Sequence, residues 1–258
     1  MKWLRFSHQG HVGFGRLHED QRIEVHTGDV FDHPQASGAH LALAEVEVLS
    51  PCQPSKILAL WNNFQAAADK NGWTRPSEPL YFLKSANSHA RHGQAIARPA
   101  GEIGRVVYEA ELGVVIGRRG RDIALADAPQ YIFGYTCVND VTAVELLRAD
   151  ASFEQWTRAK NFDGFTPFGP WIETELDLAQ AHVKALVNGR ERQNYPISDM
   201  FFSPAELVSR LSRGMTLEAG DIISCGTSLG AMPWQNDAVV EVQIEGLGTL
   251  SNTLKEHA

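Results

Sequence analysis

The chain reads as an α+β protein dominated by strands, and three observations lead there. Apolar residues alternate with polar ones, or run unbroken, in many short segments spread along the whole sequence. Stretches with apolar residues at helical spacing are few. The pair Asn188–Gly189 separates two strand-like runs, which is the two-residue hairpin signal. Together these favour a mixed, mainly antiparallel sheet over a doubly wound one.

The first 50 or so residues read as short strands and turns: KWLRFSH, a Gly-rich turn at GHVGFG, RIEVHTG, and an alternating strand LALAEVEVL. Pro51 and Pro54 in SPCQPSK fit a linker, so residues 1–52 are expected to form a small N-terminal β domain and 53–258 the larger unit. KILALW predicts a buried strand. NNFQAAADKNG predicts a short helix stopped by Gly72. The following 26 residues, TRPSEPLYFLKSANSHARHGQAIARP, read as a long loop of the kind that often carries function.

VVYEAELGVVIG then predicts one strand, LADAPQ a helix, YIFGYTCVND a strand and TAVELLRADASFEQW a polar helix. TRAKNFDGFTPFGPW is rich in Gly, Pro and aromatic residues. After the Asn188–Gly189 hairpin, SPAELVSRLSR carries the signals of a capped helix, with Ser203 as N-cap, Pro204 in the first turn and Glu206 closing a capping box. DIISCG, AVVEVQIEG and LGTLSNTL complete the set as strands. No internal repeat or low-complexity segment is present.

Composition bounds the function. With 258 residues, a net charge of −8 and 43% hydrophobic residues, the chain can close a sizeable core and lacks the basic stripe that phosphate backbones require, so nucleic acid is not expected as a partner. The cluster Gly117 to Arg121, GRRGR, reads as a solvated turn. Cys52, Cys137 and Cys225 are odd in number, widely spaced and without a CxxC pair, which favours buried free thiols in a reducing compartment. Neither a secretory leader nor an apolar run of about 18 residues is found. A cytoplasmic protein without a membrane partner is the expectation.

Two acids stand one residue apart in the β-branched run. In a strand, Glu109 and Glu111 share a face, while Tyr108, Ala110 and Leu112 take the other. A solvated face tolerates such a pair, and a divalent cation converts its repulsion into coordination by hard oxygens; the pattern alone leaves both open. Asn139 and Asp140 end a second strand-like run and offer a third carboxylate. Lys160 lies 20 positions further on among aromatics, where a packed surface lysine is the plain alternative.

Taken in order, YEAELGVVIG, IFGYTCVNDVTA, WTRAKNFDGFTPFGPW, VNGRERQ, MTLEAGDIISCGTSLG and EGLGTLSNT resemble the fumarylacetoacetate hydrolase family, over nearly everything from about Lys56 to Leu254. The resemblance implies a mixed β-roll or barrel catalytic domain with a small N-terminal β domain, usually in a homodimer. It implies that Glu109, Glu111 and Asp140 hold magnesium or manganese, with calcium an acceptable substitute, and that Lys160 and Thr227 contact the substrate and serve catalysis. Two departures stand out. Where many members carry a water-activating histidine and glutamate on a lid helix, NFQAAADK places Ala67 and Lys70, with Phe64 in place of a tyrosine. Val144 stands where an arginine is common, four positions beyond the metal aspartate.

A 2-oxo acid chelating such an ion through its C1 carboxylate and C2 oxygen develops enolate charge against it. Carbon–carbon hydrolysis also needs a base to make hydroxide from water, whereas isomerisation and decarboxylation need only enolate stabilisation and proton movement. The expected activity is therefore isomerisation or decarboxylation of unsaturated 2-oxo or 2-hydroxy acids in aromatic-compound catabolism, of the 2-hydroxyhepta-2,4-diene-1,7-dioate isomerase kind. An acylpyruvate hydrolase of the fumarylpyruvate type is the alternative, and a silent protein that binds metal and oxo acid is the third. His89 and His92 are candidates for a replacement base. GTSLG also matches the GxSxG nucleophile elbow, with Asp237 and His257 following in order, but only 28 residues remain after it, too few for the βα units that such a fold needs.

Overall fold

The computed structural model describes residues 1–256. Its largest sheet has twelve strands and begins as an antiparallel meander of Lys2–His8, His11–Leu17, Arg22–Asp29 and Asp32–Ala42. Lys2 and Trp3 pair with Glu173 and Ile172, which ties the meander to the strand Thr166–Glu173. From there the sheet runs through Ile132–Asn139, Ala110–Ile116, Ile222–Ser224 and Ile57–Trp61 to an edge at Leu80–Lys84. A five-stranded sheet, Arg190–Pro196, His182–Val187, Val239–Ile244, Gly248–Lys255 and Ala95–Ala97, covers the central strands. Most pairings are antiparallel; Ile222–Ser224 with Ile57–Trp61, Thr166–Glu173 with His89–Ala90, and Gly248–Lys255 with Ala95–Ala97 are parallel. The expected mixed, mainly antiparallel α+β architecture is what the chain adopts.

The core lies between the two sheets. Leu112, Val114, Cys137, Val183, Ala185, Val240, Val242 and Leu250 belong to one buried cluster. Val115, Val138, Ile57, Ile222, Phe168 and Ile172 form a second cluster on the opposite face of the large sheet. The strand Ala110–Ile116 is consequently buried at every position, which is why it reads as a continuous apolar run rather than an alternating one. All three cysteines are buried and free. Among the described residues no helix is long and apolar enough to cross a membrane.

Several elements match their sequence signals. Asn188 and Gly189 take φ of 49° and 75°, the left-handed pair that a type I′ turn requires. Gly72 ends the helix Gln65–Asn71 at φ 69°. Pro204–Leu211 is closed by Ser203 and Glu206 in a capping box.

Other expectations need correction. GHVGFG is not a turn: Gln9 and Gly10 make the turn, and Gly13 and Gly15 lie inside the strand His11–Leu17. A Cβ on Gly15 would sit 2.4 Å from the Glu24 carbonyl, so the glycine answers to close strand packing. LALAEVEVL splits into the end of Asp32–Ala42, a 3-10 turn and Glu47–Leu49. The long loop contains the edge strand Leu80–Lys84 and the short strands His89–Ala90 and Ala95–Ala97, whose pairing is long-range and leaves no local signature. LADAPQ shortens to the 3-10 turn Ala128–Tyr131 around Pro129. The polar helix breaks into the strand Thr142–Ala143 and the helices Val144–Leu147 and Trp156–Lys160.

Candidate active site

The strand expected over VVYEAELGVVIG is interrupted at its acids. Val106–Val107 pairs with Thr142–Ala143, Ala110–Ile116 pairs with Ile132–Asn139, and both partner strands break at the same level. The backbone of the gap is satisfied locally: Glu109 N donates to Asn139 Oδ1 at 3.0 Å, and Asp140 N donates to the Glu109 carbonyl at 2.9 Å. Two paired strand interruptions thus bring Glu109, Glu111 and Asp140 together. One carboxylate oxygen from each lies within 4.8 Å of the others. Glu111 and Asp140 are 1% exposed, so the solvated-face alternative does not describe this site.

Each acid has partners. Lys160 Nζ donates to Glu109 Oε2 at 2.7 Å and to Asp140 Oδ2 at 2.6 Å. Lys84 Nζ donates to Asp140 Oδ1 at 2.6 Å and to the Phe165 carbonyl at 3.1 Å. Thr142 Oγ1 donates to Glu109 Oε1 at 2.9 Å. Glu111 Oε2 accepts from Ser224 Oγ at 2.5 Å and from Gly226 N at 2.9 Å. Two ammonium groups therefore face three carboxylates, and Glu111 is the acid that neither lysine touches.

The titration directions follow from this count. Burial pushes Glu111 well above the usual carboxylate range, and the charges of Asp140 and Glu109 push the same way. Burial also raises Glu109, against the pull of Lys160. Burial acts on Asp140 as well, but Lys160 and Lys84 together outweigh it and hold that acid below its ordinary value. Lys84 is pushed down to about 8 by burial, with Asp140 opposing. Burial likewise disfavours the Lys160 charge, yet Asp140 and Glu109 prevail and keep it above the ordinary lysine range.

Such a donor set suits a hard divalent cation: oxygen atoms only, convergent, two of the acids buried and Glu109 partly so, with one negative charge in excess when all five groups are ionised. Glu109, Glu111 and Asp140 are the residues able to hold it.

Glu109, Lys160 and Thr227 line a cavity of about 320 Å³. Lys160 has three N–H donors and spends two on carboxylates, which leaves one. Thr227 Oγ1 donates to the Ala110 carbonyl at 2.9 Å and accepts from Gln193 Nε2 at 2.9 Å. Tyr195 Oη also donates to the Ala110 carbonyl, so that carbonyl stays paired when the Thr227 hydroxyl turns toward a ligand. The helix Gln65–Asn71 faces the same cavity with Ala67, Lys70 and Asn71, and Val144 lines it too. Both departures noted in the sequence therefore fall at the site.

Some residues were not singled out from the sequence. Lys84, at the end of the edge strand, was hidden in what read as a loop. Gln193, Ser224 and Thr142 reach the site through partners distant in the chain. Conversely, His89 and His92 do not line this cavity. His89 lies beside Arg5, Gln94 and Phe168 in another hollow, its imidazole pushed down to about 4 by burial and by Lys84, and His92 Nδ1 accepts from Ser251 N. Among the described residues the Ser228 hydroxyl has no partner, Asp237 pairs with Lys255 at the surface, and no nucleophile elbow is assembled; His257 lies outside the described residues. A larger hollow of about 890 Å³, lined by Met1, His18, Glu173 and Glu245 among others, is remote from all of this chemistry.

The sequence profile described as fumarylacetoacetate (FAA) hydrolase C-terminal matches residues 56–255, and an Rv2993c-like N-terminal profile matches residues 1–51. The chain belongs to the fumarylacetoacetate hydrolase family. Among its relatives, the 4-hydroxyphenylacetate degradation bifunctional isomerase/decarboxylase of Salmonella dublin is 36% identical over 77% of this chain and 46% of its own length. Oxaloacetate tautomerase YisK of Bacillus subtilis is 35% identical over 83% of this chain and 74% of its own. The crystal structure of 5-carboxymethyl-2-hydroxymuconate delta-isomerase from Mycobacterium smegmatis superposes with a TM-score of 0.92 at 34% identity, covering all of both chains.

Proposed function

We propose that this member of the family is a divalent-metal-dependent isomerase or decarboxylase of unsaturated 2-oxo acids. The relatives that act as isomerase, decarboxylase and tautomerase support the reaction class. The observation that carries the reading is the pairing of a largely buried triad with a helix that brings no carboxylate or imidazole to it: Glu109, Glu111 and Asp140 converge beside Lys160 and Thr227, while Ala67, Lys70 and Asn71 are what the helix Gln65–Asn71 offers the cavity.

Glu109, Glu111 and Asp140 would hold magnesium or manganese, which when bound supplies a Lewis acid for the substrate's C1 carboxylate and C2 oxygen. Lys160 contributes its remaining N–H to an oxygen that gains charge as the enolate forms, in a site dry enough for that bond to count. Because Glu109 and Asp140 fix the ammonium, little reorganisation accompanies the charge shift. Thr227 binds the substrate carboxylate by turning its hydroxyl away from Ala110, and Gln193 holds its oxygen in place as it turns. Ala67 has no titratable group, and among the described residues the helix brings neither a carboxylate nor an imidazole to the water in the cavity.

Purified protein with magnesium, given oxaloacetate and an acylpyruvate, tests the reading through the ultraviolet absorbance of the enol and the acids formed. Accelerated tautomer exchange or carbon dioxide release is expected. Release of pyruvate from the acylpyruvate would replace the proposal with carbon–carbon hydrolysis, and tight metal-dependent oxalate binding without any turnover would replace it with a silent binding protein.

A further inference from the structure

From Lys160 outward the cavity wall is a chain of aromatic rings. Lys160 Nζ stands 5.1 Å from the Phe82 ring centroid. Phe82 stacks on Trp156 at 5.0 Å and 25°, Trp156 meets Trp61 edge-on at 6.2 Å, and Trp61 leans on Trp73 at 4.7 Å. All four rings line the cavity, so three of the chain's six tryptophans are gathered there. They come from the strands Ile57–Trp61 and Leu80–Lys84, the residue after Gly72, and the start of the helix Trp156–Lys160. Each is only partly buried, which leaves ring surface for a ligand.

We infer that this wall selects 2-oxo acids whose far end is a planar apolar group, aryl or conjugated, over those ending in a second carboxylate. The inference rests on the reading that the oxo-acid head sits at Lys160 and Thr227, and it adds the identity of the tail. Val144 contributes a hydrocarbon surface, and Lys160 is committed to Glu109 and Asp140. Lys70 is the other lysine on the lining, and it is exposed. Magnitudes separate the two tails. Covering about 80–100 Å² of ring surface corresponds to some tens-fold in affinity, with a further gain from stacking. A hydrated lysine at the rim corresponds to a few-fold at most.

The experiment measures, by calorimetry in magnesium, the affinities of oxalate, 2-oxo-4-phenylbut-3-enoate and 2-oxohexanedioate, with quenching of tryptophan fluorescence as a second readout. The aryl acid is expected to bind at least about tenfold more tightly than the dicarboxylate and to quench the fluorescence. Trp156→Ala should lower the ratio of aryl-acid to oxalate affinity about tenfold, while Trp156→Phe, which keeps a ring, should retain most of it. Because oxalate is measured on every variant, a general loss of folding is not mistaken for loss of the ring site. Oxalate binding with no preference for the aryl acid, or a ratio unmoved by Trp156→Ala, overturns the inference and leaves the proposed function standing. Aryl-acid binding and quenching without oxalate binding would overturn the proposed function and with it the inference that rests on it, as would failure of both ligands.

Discussion

Replacing Glu111 by glutamine should have opposite effects on stability with and without metal. At the 4.8 Å limit of the triad, two carboxylates repel by about 3.5 kcal/mol at an effective dielectric near 20. Glu111 faces two such neighbours and has no ammonium in contact. It escapes part of that cost by keeping its proton. Holding a carboxyl with an ordinary pKa of about 4.3 protonated at pH 7 costs about 3.7 kcal/mol, which is the ceiling on the penalty. With Lys160 and Lys84 nearby offsetting part of the field, Glu111→Gln should stabilise the metal-free protein by about 2 kcal/mol, or roughly 4–8 °C in Tm for a chain of this size.

The pH dependence has a definite sign. A raised folded pKa contributes stability that is whole below the unfolded value and is lost as pH climbs through the folded one. Parent protein in EDTA should therefore weaken from about pH 4.3 upward, and the variant should weaken less. With magnesium at a hundredfold excess over its Kd, the parent gains about 2.7 kcal/mol by mass action, and the variant should gain little. Thermal unfolding in EDTA and in magnesium, across pH 5 to about 8, reads all of this, with the difference between parent and variant removing the contribution of the histidines that titrate in the same range. A variant less stable than the parent in EDTA, yet stabilised equally by magnesium, would refute the account of Glu111 as a metal ligand kept at an electrostatic cost.

Three further outcomes follow from the packing. Gly15→Ala places a methyl 2.4 Å from the Glu24 carbonyl and against Ile23, and should cost about 2–3 kcal/mol in urea unfolding; a loss under about 0.5 kcal/mol would show that the strands can separate freely there. Ser203→Ala removes the cap of Pro204–Leu211 and should cost about 1 kcal/mol in the same measurement, with Ser203→Asp largely restoring it. Native protein at pH 8 should show no fast-reacting thiol with an aromatic disulfide reagent, since burial pushes Cys52 and Cys137 up to about 12 and raises Cys225 as well; one rapid equivalent would contradict the packing around that cysteine.

Much of this protein is legible in one dimension. Gly72, the Asn188–Gly189 pair and the Ser203–Pro204–Glu206 cap are local steric and hydrogen-bonding signals, and each produces its element at its own position. The acids at 109, 111 and 140, with Lys160 and Thr227, are singled out by residue type and by family resemblance. The edge strand Leu80–Lys84 is different. Its residues pair with Ile57–Trp61, from Trp61 opposite Leu80 to Ile57 opposite Lys84, across a long intervening stretch, and Leu80, Tyr81 and Leu83 are exposed, so neither alternation nor burial marks it. Lys84 shares that lack of a local signal. The reverse error at GHVGFG has the same origin, because glycine in a strand answers to a neighbouring chain and not to its own conformational freedom.

What the sequence determines by itself is the list of groups with chemical capability and the local punctuation of the chain, because both depend on residues within a few positions of one another. Convergence belongs to the tertiary structure. Only the paired breaks at 108–109 and 140–141 bring three carboxylates within 4.8 Å, and only strand order sets Lys84 against Asp140. The same strand order sets Phe82, Trp156, Trp61 and Trp73 in one line beside Lys160. Electrostatics and ring contacts act through space over a few ångströms, and the chain positions that supply them lie up to about a hundred residues apart.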